Sequence, residues 1–327
     1  MRMPDYISPS QVSLFYSDRE EYYMRYLSDN RLPRLPQTDA MALGGAVDSH
    51  LKRALAKRYL DPSDARLEEG GEYSLSEMLS HAIEPHLDAE RLTELGRELF
   101  SHYVESGAWE RLIADMDKMD AGSLCMEQSV FYTCPTTGMK LMGKPDIAFK
   151  RNGVGHVYDM KVNGFFSKNG ASPLKNHIWN SYDHMAHKDV VQHRHACGTL
   201  VDVSGFFSPD YVRQISTYSW ALFGRDSLVI GGIEQLACKA LKGNERRPPR
   251  SVVSGVGVTY VSTRALIGSA VQDALFDEYL RMFRCLQSGW IFDHLSRSES
   301  DDLCATLESR SLACIDDPEW AMVAGRV

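Results

Sequence analysis

Beyond residue 124 the apolar pattern changes from a helical period to one close to two, with reverse-turn residues at regular intervals. Pro135-Thr136-Thr137-Gly138 and Asn152-Gly153 divide this stretch into three expected antiparallel strands, roughly 124–134, 139–150 and 154–162. Alternate side chains of a strand share a face, so Asp159 and Lys161 point together while Met160 turns away. Asp146 falls on the neighbouring strand of the same meander, and Glu127 on the strand before it. Two carboxylates and an ammonium are thereby directed to one place. A Pro-Asp and an Asp-x-Lys are nevertheless common, and ordinary surface charges produce most such pairs.

The flanking segments read as helices. Ser8-Pro9-Ser10-Gln11 has the form of a helix start, with Ser8 as cap, Pro9 in the first turn and Gln11 completing a capping box. A second amphipathic helix is expected from near Gly44, with Val47, Leu51, Leu55 and Tyr59 at helical spacing. Leu75 to Asp120 reads as mainly helical, part of an acidic subdomain over 61–120 that could act as a lid. Further helices are expected at 211–224 and about 264–288, and two more strands at 228–238 and 252–262. The fold class is therefore α/β, with a mixed central sheet flanked by helices and a helical insertion. The whole chain, 1–327, reads as a single domain, with core sheet 124–262, insertion 163–209 and C-terminal helices 263–327.

Charge is distributed unevenly around a net of -8. Residues 61–120 hold 16 acidic and 5 basic side chains, whereas 140–195 hold 9 basic and 4 acidic and include Asp159 and Lys161. A second basic cluster, with Arg246 and Arg247, lies in a Gly/Pro-bearing loop suited to phosphate contact or to a solvated turn. The seven cysteines form no CxxC pair, which argues against a zinc ribbon or a secreted disulfide framework. No apolar run of membrane-spanning length occurs, and the start lacks a signal-peptide pattern, so no membrane association and a cytoplasmic location are expected. His177, His184, His187, His193 and His195 lack zinc-ligand spacing. Phe165, Phe166, Trp179 and Tyr182, interleaved with Lys168 and Lys175, suit either a single-strand channel or core packing.

Hard oxygen ligands suit magnesium or manganese, and a lysine beside them can position a water and offset phosphoryl charge. Asp146, Asp159 and the Met160 carbonyl are the candidate metal ligands here, with Lys161 managing water and phosphate and Glu127 orienting a water or holding a second ion.

The order of these elements resembles the RecB-like, exonuclease branch of the PD-(D/E)XK nucleases. Gly143-Lys144-Pro145-Asp146 matches its Gly-x-x-Asp strand, Asp159-Met160-Lys161 its Asp/Glu-x-Lys strand, and Gln214 with Tyr218 its Gln-x-x-x-Tyr helix. Ile7-Ser8-Pro9-Ser10 and Tyr22 to Leu27 are similar to its N-terminal helix. The likeness spans roughly residues 6 to 262, thinly over 60–120 and 165–210. It implies a restriction-endonuclease-like core and a magnesium- or manganese-dependent deoxyribonuclease. The catalytic residues implied are Asp146, Asp159, Lys161 and Glu127, and Gln214, Tyr218, Lys144, Arg246 and Arg247 would contact DNA. Where the family often has a metal-binding histidine, this chain has Asp48, four residues after Gly44, and Asp48 is taken as a ligand. Some relatives carry an iron-sulfur cluster, but Ser17 stands near the early cysteine position and Cys285, Cys304 and Cys314 are too widely spaced, so none is expected.

The expected activity is exonuclease or end processing in recombination, repair or phage DNA metabolism, in the host cytoplasm if the chain is phage-encoded. A restriction-type endonuclease and a catalytically silent DNA-binding or assembly protein are the alternatives. No GxxxxGK[ST] loop is present, so a helicase or single-strand annealing partner would be a separate chain.

Overall fold

In the computed structural model, which describes residues 2–166, 209–240 and 251–316, helices cover both faces of a five-stranded mixed sheet. The first helix, α1 (Pro9–Ser17), starts as its sequence dictates: Ser8 accepts a hydrogen bond from the Gln11 N–H, and Pro9 occupies the first turn. The reciprocal half of the capping box is not made, since Gln11 Oε1 is buried without a partner. After α2 (Arg19–Tyr22) and one π-helical turn (Tyr23–Leu27) comes the long α3 (Asp39–Tyr59), capped by Thr38 and starting five residues before the expected Gly44. The acidic segment supplies α4 (Leu75–Ala82), α5 (Ala89–Glu105) and α6 (Ala108–Met116).

The expected three-strand meander is instead two separate pairs. β1 (Val130–Thr133) and β2 (Lys140–Gly143) form a two-stranded sheet, while β3 (Ile147–Arg151) and β4 (Val154–Asn163) belong to the main one. Pro145 has no N–H to extend a ladder, and the chain breaks between β2 and β3 around it. Asp146 therefore immediately precedes β3 instead of lying within a strand, and Glu127 lies in an irregular stretch before β1. Asn152 and Gly153 join β3 to β4 with positive φ at both positions, the geometry of a two-residue hairpin turn.

β4 pairs in parallel with β5 (Val229–Ala240), a pairing that needs a crossover. The crossover carries α7 (Pro209–Phe223), which packs on β1, β2 and β4. The single strand expected at 252–262 is a hairpin, β6 (Ser251–Val253) and β7 (Val256–Ile267), turning at Ser254-Gly255 with φ of 47° and 79°. β7 pairs with β5 as far as Ile267, so α8 (Ser269–Ser288) starts later than the expected 264. Helix α9 (Arg297–Asp316) follows, and the order across the sheet is β3-β4-β5-β7-β6. The histidines, Trp179, Tyr182, Lys168 and Lys175 of the insertion, and Arg246 with Arg247, lie outside the described residues.

Each sheet face has its own core. One unites α1, α7 and α8 with Val157, Val229 and Ile233 around Trp220, whose ring meets Phe276 edge-on at 5.3 Å and whose N–H donates to Gln272. The other joins α3 to α6 with Ile147, Phe149, Tyr158 and Met160. α3 and α5 approach so closely that a Cβ on Gly96 would lie 2.7 Å from that of Ala46, so the glycine lets the two helices pack directly on each other. No described helix is long and apolar enough to cross a membrane.

His156, on β4, stacks on Phe149 with ring centroids 5.0 Å apart, and its Nδ1 is buried without a partner. Burial pushes its pKa from the ordinary 6.5 down to about 4. The unfolded chain thus takes up a proton below pH 6.5 that the folded state refuses, and stability falls as pH drops from there towards 4. The loss amounts to roughly 3 kcal/mol for full protonation. Urea melts of wild type and His156→Phe between pH 7 and pH 4 check this. The variant is expected to have a flatter acid limb, and parallel limbs would refute the assignment.

Candidate metal centre

Three carboxylates from different segments meet at one edge of the sheet. Asp48 comes from α3, Glu127 from the stretch before β1, and Asp146 from the residue before β3. One oxygen of each lies within 4.8 Å of those of the other two, the spacing of a cradle that could hold a metal ion. Glu127 is presented by a left-handed backbone, φ 55°, uncommon for a residue other than glycine. Its N–H donates to the Pro145 carbonyl at 3.0 Å, and Cys125 bridges Ala148, so this irregular stretch is tied to the residues on either side of Asp146. Asp146 Oδ2 accepts the Met160 N–H at 2.8 Å, which docks it against β4.

Asp159 stands next to this cradle on the α7 face of the sheet, only 2% exposed. It forms an ion pair with Lys161, as the alternation along β4 requires, and accepts a hydrogen bond from Gln214 Nε2 at 3.1 Å. Burial, reinforced by the neighbouring Asp146 carboxylate, pushes its pKa up, and burial acts likewise on Asp48. Lys161 is raised: burial lowers it, but the Asp159 and Asp146 carboxylates outweigh that. The Lys161 ammonium also lies 5.5 Å from the Tyr211 ring centroid.

Gln214 and Tyr218, one helical turn apart on α7, act as a unit. Gln214 Nε2 donates to the Tyr218 hydroxyl at 2.7 Å, and the tyrosine, 6% exposed, lays its ring against Gly143. The pair braces α7 to the sheet and orients Asp159. Both residues, with Lys144, Ser8, Ser10 and Ser13, also line a cleft of about 640 Å³ between α1 and β2. Lys144 is half exposed and forms an ion pair with Glu127.

The structure thus gathers Asp48, Asp146, Asp159, Lys161, Glu127, Lys144, Gln214 and Tyr218 into one region, with two differences from the sequence reading. The mutually close carboxylates are Asp48, Glu127 and Asp146, which puts Glu127 in the cradle, whereas Asp159 is engaged by Lys161 and Gln214. The second is Lys52, which the sequence reading missed. Its ammonium, on a side chain 4% exposed, contacts Asp48 and Glu127 and lies 3.7 Å from Asp146 Oδ1. Its signal was the four-residue spacing from Asp48, which puts acid and base on the same helix face.

The residues present fit a divalent cation. The donors are hard oxygens, Asp48 Oδ1 is buried without a hydrogen-bond partner, and the cradle already surrounds a positive group.

No family profile matches the chain, and no curated protein does. Among solved structures it is similar to one described as "Crystal structure of SSO0001", at 10% identity over 83% of this chain and 85% of that one, with a TM-score of 0.24. A likeness of that degree transfers neither function nor site.

Proposed function

We propose that this chain is a metal-dependent DNA nuclease with a restriction-endonuclease-like core, acting as an exonuclease or end-processing enzyme. One observation carries the reading: the Asp159–Lys161 ion pair on β4 stands beside Asp146, which also belongs to a three-carboxylate cradle. Phosphodiester hydrolysis needs a positioned water and compensation for charge on the phosphoryl oxygens. Magnesium or manganese held by Asp48, Glu127 and Asp146 would supply Lewis-acid charge at such an oxygen. Lys161 adds a fixed ammonium donor for a water or a phosphate oxygen. Asp159 holds that ammonium in place and is itself held by Gln214. The cleft bounded by Lys144 and the serines of α1 offers a hydrogen-bonding path for a sugar-phosphate backbone.

Purified protein incubated with linear and covalently closed circular DNA tests the reading. Linear DNA is expected to be degraded with Mg2+ or Mn2+ and spared with chelator, and circles are expected to survive. Cutting of closed circles would instead indicate a restriction-type endonuclease. A second reading, a catalytically silent DNA-binding protein, is favoured by Lys52, which partly neutralises the cradle without metal. Binding of DNA without metal-dependent product would select it.

A further inference from the structure

The cradle's carboxylates divide their oxygens in a consistent way. Lys52 takes Asp48 Oδ2 and Glu127 Oε1, and the nearest Asp146 oxygen to it is Oδ1. The second oxygens of Glu127 and Asp146 are held elsewhere, by Lys144 and by the Met160 N–H. Each of these two carboxylates is thus oriented by an outer partner and turns its other oxygen towards the same ammonium. A divalent ion bound to all three groups needs contacts of about 2.0–2.6 Å to inward oxygens. That is the space Lys52 occupies, and two cations held there by one set of oxygens would repel at close range. Lys52 and Lys144 together still leave the three carboxylates under-neutralised, so the cradle favours a doubly charged ion once Lys52 yields.

We propose that Lys52 is a resident counter-ion of the cradle, displaced when a divalent cation binds, so that this lysine sets the affinity for metal. The inference rests on the metal-centre reading above and adds the residue that opposes loading. It also accounts for how three carboxylates of different origin stay together in the metal-free protein.

The test is calorimetric titration of MnCl2 into wild type, Lys52→Met and Lys52→Arg, with melting temperatures recorded with and without Mn2+. Lys52→Met keeps an unbranched side chain as far as the ε position and loses the ammonium. It is expected to bind Mn2+ at least about tenfold more tightly than wild type, because the competing charge is gone. It should melt lower than wild type without metal and recover most of that loss with Mn2+. Lys52→Arg keeps a cation and is expected to show no such tightening. Equal or weaker binding by Lys52→Met, with wild type still binding, would overturn the role of Lys52 and leave the metal centre standing. Absence of Mn2+ binding in both wild type and Lys52→Met would overturn the two together.

Should Lys52→Met fail to fold, acylation of wild-type lysines read by mass spectrometry decides. Lys52 labelling is expected to rise several-fold on saturation with Mn2+ relative to the exposed Lys57, and an unchanged ratio refutes displacement.

Discussion

Asp159→Asn is expected to reduce metal-dependent cleavage by about a thousandfold or more while leaving the melting temperature at pH 8 within a few degrees of wild type. The two outcomes separate because the proposed chemistry needs the carboxylate, whereas the fold carries it as a buried charge. Asp159 is 2% exposed and lies beside Asp146, and its pKa is raised to about 7. A carboxyl raised in the folded state favours folding below its ordinary range, near 3.8, and that advantage is lost as pH rises through about 7. At pH 8 the asparagine therefore removes a charge that the fold tolerates poorly, and its amide can still meet Gln214. Lys161→Ala is expected to be equally inactive but to behave differently in stability. Without the ammonium, Asp146 and Asp159 repel with less compensation, so this variant should melt closer to wild type at pH 5 than at pH 8. Cleavage assays paired with thermal melts at the two pH values check both. Activity within tenfold of wild type in either variant would remove the pair from the chemistry.

Gly143→Ala is expected to destabilise the protein by about 1–3 kcal/mol through overpacking and to lower cleavage as well. A Cβ at this position would lie 2.2 Å from Tyr218 Cδ1, so the ring must move. Tyr218 accepts the Gln214 hydrogen bond, and Gln214 in turn holds Asp159, so a shifted ring disturbs the carboxylate through two contacts. Combining Gly143→Ala with Tyr218→Leu should recover stability beyond the additive expectation, by about 1 kcal/mol or more, because the smaller side chain vacates the space. Urea denaturation of the four proteins gives the coupling, and strictly additive losses would show that the two residues do not meet.

These two predictions draw on different levels of the molecule. That Asp159 and Lys161 share a face follows from alternation along one strand, and their pairing needs nothing beyond local backbone geometry. The Ser8 cap, the Asn152-Gly153 turn and the spacing of Gln214 and Tyr218 were legible for the same reason, each resting on residues close in sequence. Ser254-Gly255 was an equally local turn signal, passed over because the flanking Val-rich stretch reads as one strand.

What stayed hidden was decided by long-range packing. Pro145 separates β2 from β3, and the two strands join different sheets because their pairing partners differ. β7 extends to Ile267 because β5 offers a partner along its full length, which overrides a helical reading of its last residues. The cradle is the clearest case. Asp48 and Lys52 arrive on a helix packed through Gly96 and Ala46, Glu127 on a left-handed residue tied to the Pro145 carbonyl, and Asp146 by docking on the Met160 N–H. The sequence by itself determined which residues carry charge and which share a strand or helix face. Only the tertiary structure decided that Glu127 joins Asp48 and Asp146, and that a second lysine stands among them, because chain segments up to 98 positions apart come within a few ångströms only when both sheet faces are covered.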